Sequence, residues 1–157
     1  MHNEPGDPLL ISHELWHVPL PISLPISYYQ QLLRLDQESQ EDLSILEERN
    51  YLKTITDILE EKEIDVILFQ DYNKGILTTN VIREVILYAQ ERGIPTAVDP
   101  KFKNFNTYKG VHLFKPNLVE VNRFFQQEVA VNLTELEAIA KKIHFELDNL
   151  YTLITLS

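Results

Sequence analysis

The sequence predicts an α/β domain with a mainly parallel sheet and helices on both faces, three layers deep. Three observations carry that expectation. Short apolar runs alternate with helical stretches of about 10 to 18 residues, the spacing of right-handed βαβ crossovers. The run Ile64-Asp-Val-Ile-Leu-Phe-Gln70 is rich in β-branched residues and nearly continuous in apolar character, which suits a strand buried on both faces. Helix caps and turn residues fall between the runs, as with Gly93 and Pro95 behind one helical stretch. The domain is read as residues 28–157, preceded by an irregular arm at 1–27, and as incomplete. The chain stops one residue past its last strand, at Ser157, where a parallel strand is ordinarily followed by a loop and a covering helix.

The arm holds five of the eight prolines, and Pro19, Pro21 and Pro25 interrupt its apolar stretch. Proline fixes φ and removes a donor, so no regular element is expected there. From Ser39 to Lys62 the pattern is helical, with Leu43, Leu46, Ile55 and Leu59 as its apolar side and Ser44 with Glu47 as a capping box. The strand 64–70 follows, then a turn from Asp71 to Leu77 containing Gly75.

Thr79 to Arg92 reads as a helix with Val81, Val85 and Ala89 in one row and Ile82 and Ile86 beside it. Strands are expected at Ile94–Asp99 and Val111–Lys115, and a helix from Asn117 to about Phe125. A longer helix should open on a Thr134/Glu137 capping box and bury Leu136, Ile139, Ala140, Ile143 and Leu147. Leu150 to Leu156 repeats the buried-strand pattern.

Composition narrows the function. The net charge of −10 argues against a nucleic-acid binder. No apolar run approaches the roughly 18 residues of a spanning helix. The first residues carry Glu4 and Asp7 where a secretory signal would be basic. With no cysteine, disulfides and thiol chemistry are excluded, which is compatible with the cytoplasm, the expected location. His2, His13, His17, His112 and His144 form no metal-ligand spacing. Charge is also unevenly placed: eleven acids and three bases lie between Asp36 and Asp65, but four lysines and no acid between Lys101 and Lys115. Such a basic stretch can draw a small anion while the molecule repels polyanions.

Three turns at strand ends carry residues suited to chemistry. Asp71-Tyr-Asn-Lys-Gly75 offers a carboxylate and an ammonium, Asp71 and Lys74, near a helix N-terminus. Asp and Gly are equally at home in a turn for conformational reasons. Asp99-Pro-Lys101 opens the lysine-rich loop, where Lys101, Lys103 and Lys109 can bind phosphate or merely be solvated. Phe102, Phe105 and Tyr108 in that loop are expected to anchor it to the core. Asn117 and Glu120 fit an N-cap and its N3 partner, and the same geometry can position hydrated Mg²⁺ and nucleotide phosphates. Singly, the cap is the stronger reading.

Together, and in this order, Asp71-Tyr-Asn-Lys-Gly75, Ile94-Pro-Thr-Ala-Val-Asp-Pro-Lys101 and Phe114-Lys-Pro-Asn-Leu-Val-Glu120 resemble the middle of ribokinase-type (PfkB) carbohydrate kinases. Gln31-Leu-Leu-Arg-Leu-Asp36 is similar to an upstream segment of the heptose 7-phosphate kinase branch. The resemblance implies a ribokinase-like fold and ATP and Mg²⁺ as cofactors. It implies Asp71, Lys74, Asp99 and Lys101 near sugar and phosphate, and Asn117 and Glu120 placing the nucleotide and Mg²⁺, with Glu120 acting on the metal through water. It implies phosphoryl transfer to the anomeric hydroxyl of a heptose 7-phosphate.

The family's Gly-Ala-Gly-Asp element, which supplies its base and anion hole, is absent from these 157 residues, so no catalytic residue is assigned. Losing one preorganised donor set commonly costs about 10²–10³ in rate, and the chain alone is expected to be inactive. Expected partners are sugar phosphate and ATP, with a homodimer or a complementing C-terminal half, and neither nucleic acid nor membrane. The alternative is a non-catalytic α/β interaction module that has lost kinase activity.

Overall fold

The computed structural model describes residues 41–156; the arm at 1–27 and the segment 31–36 lie outside them. In chain order the described elements are helix α1 (Ile45–Glu61), strand β1 (Ile67–Gln70), helix α2 (Thr79–Glu91), strand β2 (Thr96–Asp99) and a short 3₁₀ turn (Phe102–Asn104). Strand β3 (Leu113–Phe114), helices α3 (Leu118–Phe125) and α4 (Leu133–Leu147) and strand β4 (Tyr151–Thr152) complete the set. No helix of the described residues is long and apolar enough to cross a membrane.

The strands form one parallel sheet in the order β1-β2-β3-β4. Right-handed crossovers that always step the same way put every crossover helix on one face. The register agrees. Phe69, Val98 and Phe114 stand side by side and are 5%, 1% and 0% exposed, in one core with Val81, Ile82 and Ile86 of α2 and Ile139, Ile143 and Leu147 of α4. The parallel sheet and its alternation with helices match the sequence expectation, whereas the expected helices on the second face are not found among the described residues.

On the opposite face the row Leu68, Ala97, Leu113 and Tyr151 is open at both ends, with Leu68 55% and Tyr151 65% exposed. No helix among the described residues covers it. The reading of β1 and β4 as strands buried on both faces is therefore corrected: in β1 only Phe69 is buried, in β4 Thr152 is only partly so, and Val66, Leu68, Tyr151 and Leu153 are exposed.

Local chemistry sets the helix ends. Ser44 and Glu47 form the expected capping box, so α1 begins at Ile45 and not near Ser39, and Leu46 is exposed instead of facing the core. The acids of α1 are not all solvated. Glu48 accepts hydrogen bonds from Thr78 Oγ1 and Asn80 Nδ2 at 2.5 and 2.6 Å, closing the N-terminus of α2 from a neighbouring helix. α4 is capped by Asn132, whose side chain accepts from the Glu135 N–H, and not by Thr134 with Glu137. Asn132 already holds the extended backbone a cap needs, so the helix starts two residues earlier than the Thr134 reading.

Candidate functional site at the strand tips

Parallel pairing delivers the three sequence-predicted turns to one end of the sheet. The Asp71 N–H donates to the Asp99 carbonyl at 3.2 Å and the Lys115 N–H to the Val98 carbonyl at 2.9 Å, so β1, β2 and β3 release their turns side by side. The chain beyond β4 joins them: the Leu118 N–H donates to the Thr155 carbonyl at 2.8 Å beside the start of α3.

Asp71 is only 2% exposed, and its carboxylate is fully engaged. Oδ1 accepts from the Asn73 N–H at 2.7 Å, an Asx-type turn that holds Asn73 at φ 59°. Oδ2 accepts from Asn104 Nδ2 at 3.0 Å and from the Tyr108 hydroxyl at 2.9 Å. Burial first, then the charge and hydrogen bond of Asp71, push the Tyr108 phenol pKa far above its ordinary value. Asp71 thus ties the β1 turn to the lysine-rich loop, whose Phe105 and Tyr108 are buried as expected, whereas Phe102 is 41% exposed and lies under the Arg123 guanidinium instead of anchoring to the core. Asn104 escaped sequence reasoning because an asparagine between Lys103 and Phe105 has no periodicity or motif to mark it.

Gly75 completes that turn by close approach. At φ +80° it lies so near the incoming chain that a Cβ would sit 1.8 Å from the Glu41 carbonyl oxygen. Lys74 beside it is partly buried.

Lys101 and Glu120 meet across the gap between the second and third turns, Nζ to Oε1 at 2.7 Å. Glu120 is also the N3 member of the capping box: its Oε2 accepts from the Asn117 N–H at 2.9 Å while Asn117 Oδ1 accepts from the Glu120 N–H at 2.8 Å. The hydrogen bond to Glu120 raises the Lys101 pKa, desolvation opposes it, and the charges of Glu120, Asp99 and Asp71 add to the rise. Three carboxylates from three elements therefore act on one ammonium. Asp99 itself faces Lys115 at 3.3 Å, both nearly two-fifths exposed, a weak screened pair.

Not every lysine of the loop joins this group. Lys103 pairs with Asp42 at 2.5 Å, and Lys109 is exposed with its backbone in the turn before Gly110. Surface hollows lie elsewhere, one beside Phe125 and Phe145 and one beside His112 and His144. The three sequence-predicted turns converge at the strand tips and not at either hollow, although Lys141, Lys142 and Glu146 line the first.

Mg²⁺ prefers an octahedral oxygen shell that keeps several waters, with one or two carboxylates and substrate phosphates. The described residues contain no group of three or more His, Cys, Asp or Glu arranged for a metal. Glu120 is a single carboxylate whose oxygens already accept from Lys101 and the Asn117 N–H, so it could contribute to such an ion's shell only alongside other ligands. ATP phosphates would meet the N-terminus of α3, where Asn117 already orients the first turn.

No family model matches the chain. It is 33% identical over 132 residues to the bifunctional protein HldE of a Nitratiruptor species, covering 84% of this chain and 27% of that protein. It is 37% identical over 134 residues to HldE of Campylobacter jejuni, covering 84% and 28%. The chain thus spans little more than a quarter of the curated relatives it matches. Among solved structures, phosphofructokinase-2 from Escherichia coli in complex with fructose-6-phosphate superposes with a TM-score of 0.55 at 18% identity, over 74% of this chain and 38% of that one. The ADP complex of Bacillus subtilis pyridoxal kinase gives 0.51 at 19% identity, over 73% and 46%. The chain is homologous to the HldE proteins over the residues matched and carries part of the ribokinase-type (PfkB) kinase fold.

Proposed function

We propose that this chain supplies the middle of an ATP-dependent sugar-kinase site that phosphorylates the anomeric hydroxyl of D-glycero-D-manno-heptose 7-phosphate. The observation that supports it most is the convergence of Asp71, Asp99, Lys101, Asn117 and Glu120 at neighbouring strand tips, with Lys101 bonded to Glu120. In open α/β sheets ligands sit beyond the carboxyl ends of the strands, the end at which these residues lie.

In this reading Lys101, with Lys74 on the adjacent turn, binds the phosphate of the sugar. Asn117 fixes the α3 N-terminus toward the nucleotide phosphates, and Glu120 holds water of the metal shell. Asp99 stands at the sugar side, and Asp71 holds the turn that carries Lys74. ATP with Mg²⁺, when bound, supplies the phosphoryl group and neutralises the charge that develops on it. The 157 residues include no Gly-Ala-Gly-Asp element, so the base and anion hole must come from a complementing polypeptide or further sequence. A cytoplasmic location belongs to the same proposal.

The test is ATP turnover with heptose 7-phosphate, by the chain alone and with a supplied C-terminal half of an HldE kinase domain. Activity only on complementation supports the reading. If neither preparation turns over ATP or binds Mg·ATP or sugar phosphate, the reading is lost.

A second reading, an interaction module without catalysis, draws on the outward-facing Leu68, Tyr151 and Leu153. Capture of a partner chain by a preparation that binds neither ligand would favour it.

A further inference from the structure

Two neighbouring cations beside the strand tips stand in different electrical states. Lys101 is balanced by Glu120 at 2.7 Å. Arg123 is exposed, and no carboxylate among the described residues pairs with it.

Two separate links place Arg123 next to that ion pair. Along α3 it follows Glu120 by one turn, a spacing at which side chains are neighbours, about 5–6 Å apart at Cβ. Across to the lysine-rich loop, its guanidinium carbon lies 3.9 Å from the centre of the Phe102 ring, and Phe102 is the residue after Lys101.

A base in the last turn of α3 suits the negative end of that helix, but a lysine would serve there as well and needs no aromatic seat. The ring does something further. It fixes where the guanidinium lies, while no hydrogen bond among the described residues occupies the N–H groups. Those groups form a fork matched to two oxygens of one phosphate. Seating the fork beforehand lowers the ordering cost that binding otherwise carries.

We propose that Arg123, positioned by Phe102, is a phosphate-binding residue at the edge of the candidate site, gripping a ligand's phosphate beside the Lys101–Glu120 pair. The identity of that ligand rests on the kinase reading; the anion site itself does not. A sugar phosphate and a nucleotide share this chemistry, and the experiment separates them.

The full chain is titrated with inorganic phosphate at constant ionic strength, with the amide resonances of Phe102 and Arg123 followed by NMR. Arg123→Ala should raise the phosphate midpoint about tenfold, the order of one charge-assisted hydrogen bond. Phe102→Leu removes the ring and no charge, and should raise the midpoint about threefold. Phe102→Tyr keeps the ring and should bind as wild type does. Lys109→Ala removes an equal charge from the same loop and should stay within about twofold, since exposed charges are screened. The titrations are repeated with heptose 7-phosphate and with ADP free of Mg²⁺. The ligand that Arg123→Ala weakens about tenfold is the one whose phosphate Arg123 holds.

A wild-type chain that does not bind phosphate overturns the proposal. So does an unchanged midpoint in Arg123→Ala, or an equal rise in Lys109→Ala, and an unchanged midpoint in Phe102→Leu removes Phe102 from it. If phosphate binding follows Arg123 while heptose 7-phosphate and ADP bind no better than phosphate itself, the anion site stands and the kinase reading loses its support.

Discussion

The Tyr108 hydroxyl donates to Asp71 Oδ2 at 2.9 Å, joining residues 37 positions apart where the two are 0% and 2% exposed. This bond makes the lysine-rich loop and the β1 turn one unit. It also separates two roles that the sequence left joined: Asp71 is committed to holding the turn and the loop together, while Lys101 and Glu120 pair with one another.

Tyr108→Phe keeps the edge-on packing against Phe69, whose ring centre is 5.7 Å away, and removes one donor from a buried carboxylate. The expected loss is about 1–3 kcal/mol of unfolding free energy, read from urea titrations.

The same bond sets a pH dependence. Burial and Asp71 raise the folded-state pKa of Tyr108, so its contribution is fully present below the unfolded value of about 10 and is lost as pH rises beyond it. The urea midpoint of the wild type should therefore fall as pH climbs from about 9 to 11, and Tyr108→Phe should show a shallower fall. Tyr51, also raised by burial, keeps the remainder. Parallel slopes in the two proteins would remove Tyr108 from this account.

Two glycines with positive φ should respond differently to alanine. Gly93→Ala, at φ +67° with nothing within 4 Å of a new Cβ, should cost about 1 kcal/mol, the penalty of the left-handed region alone. Gly75→Ala adds a collision with the Glu41 backbone, which no side-chain rotation relieves. It should cost clearly more. It should also free the Leu43 N–H, bonded to the Gly75 carbonyl at 3.1 Å, to faster hydrogen exchange. Equal costs at the two positions would show that residues 41–43 move aside freely.

The α4 cap shows where sequence reasoning succeeded and where it stopped. Periodicity found Ile139, Ile143 and Leu147, because burial on one helix face leaves a 3.6-residue signature. It placed the cap at Thr134, whose spacing to Glu137 fits a capping box, and passed over Asn132, which caps equally well by type and holds the position. The three site turns were legible for a similar reason: each ends a strand, and parallel strands in sequence order bring their ends together. The Asp71–Asn104–Tyr108 cluster was not legible, because its bonds depend on how a loop folds back. Asn132→Ala should therefore cost about 1 kcal/mol, against only a few tenths for Thr134→Ala. The helix signal in circular dichroism melts decides between them.

The uncovered sheet face gives the last prediction. Phe69 and Leu68 are adjacent in β1, yet one is 5% and the other 55% exposed. Burial and not hydrophobicity should govern what each loses on substitution. Phe69→Ala should cost about 3–5 kcal/mol through lost transfer energy and the cavity left behind. Leu68→Gln and Leu153→Gln should stay within about 0.5 kcal/mol of wild type, while lowering the fluorescence of a dye that binds apolar surface. Parallel sheets are normally covered on both faces, so this contrast also asks what lies over Leu68. A Leu68→Gln cost approaching that of Phe69→Ala would mean that the face is covered in solution, and the dye signal should then be weak from the outset.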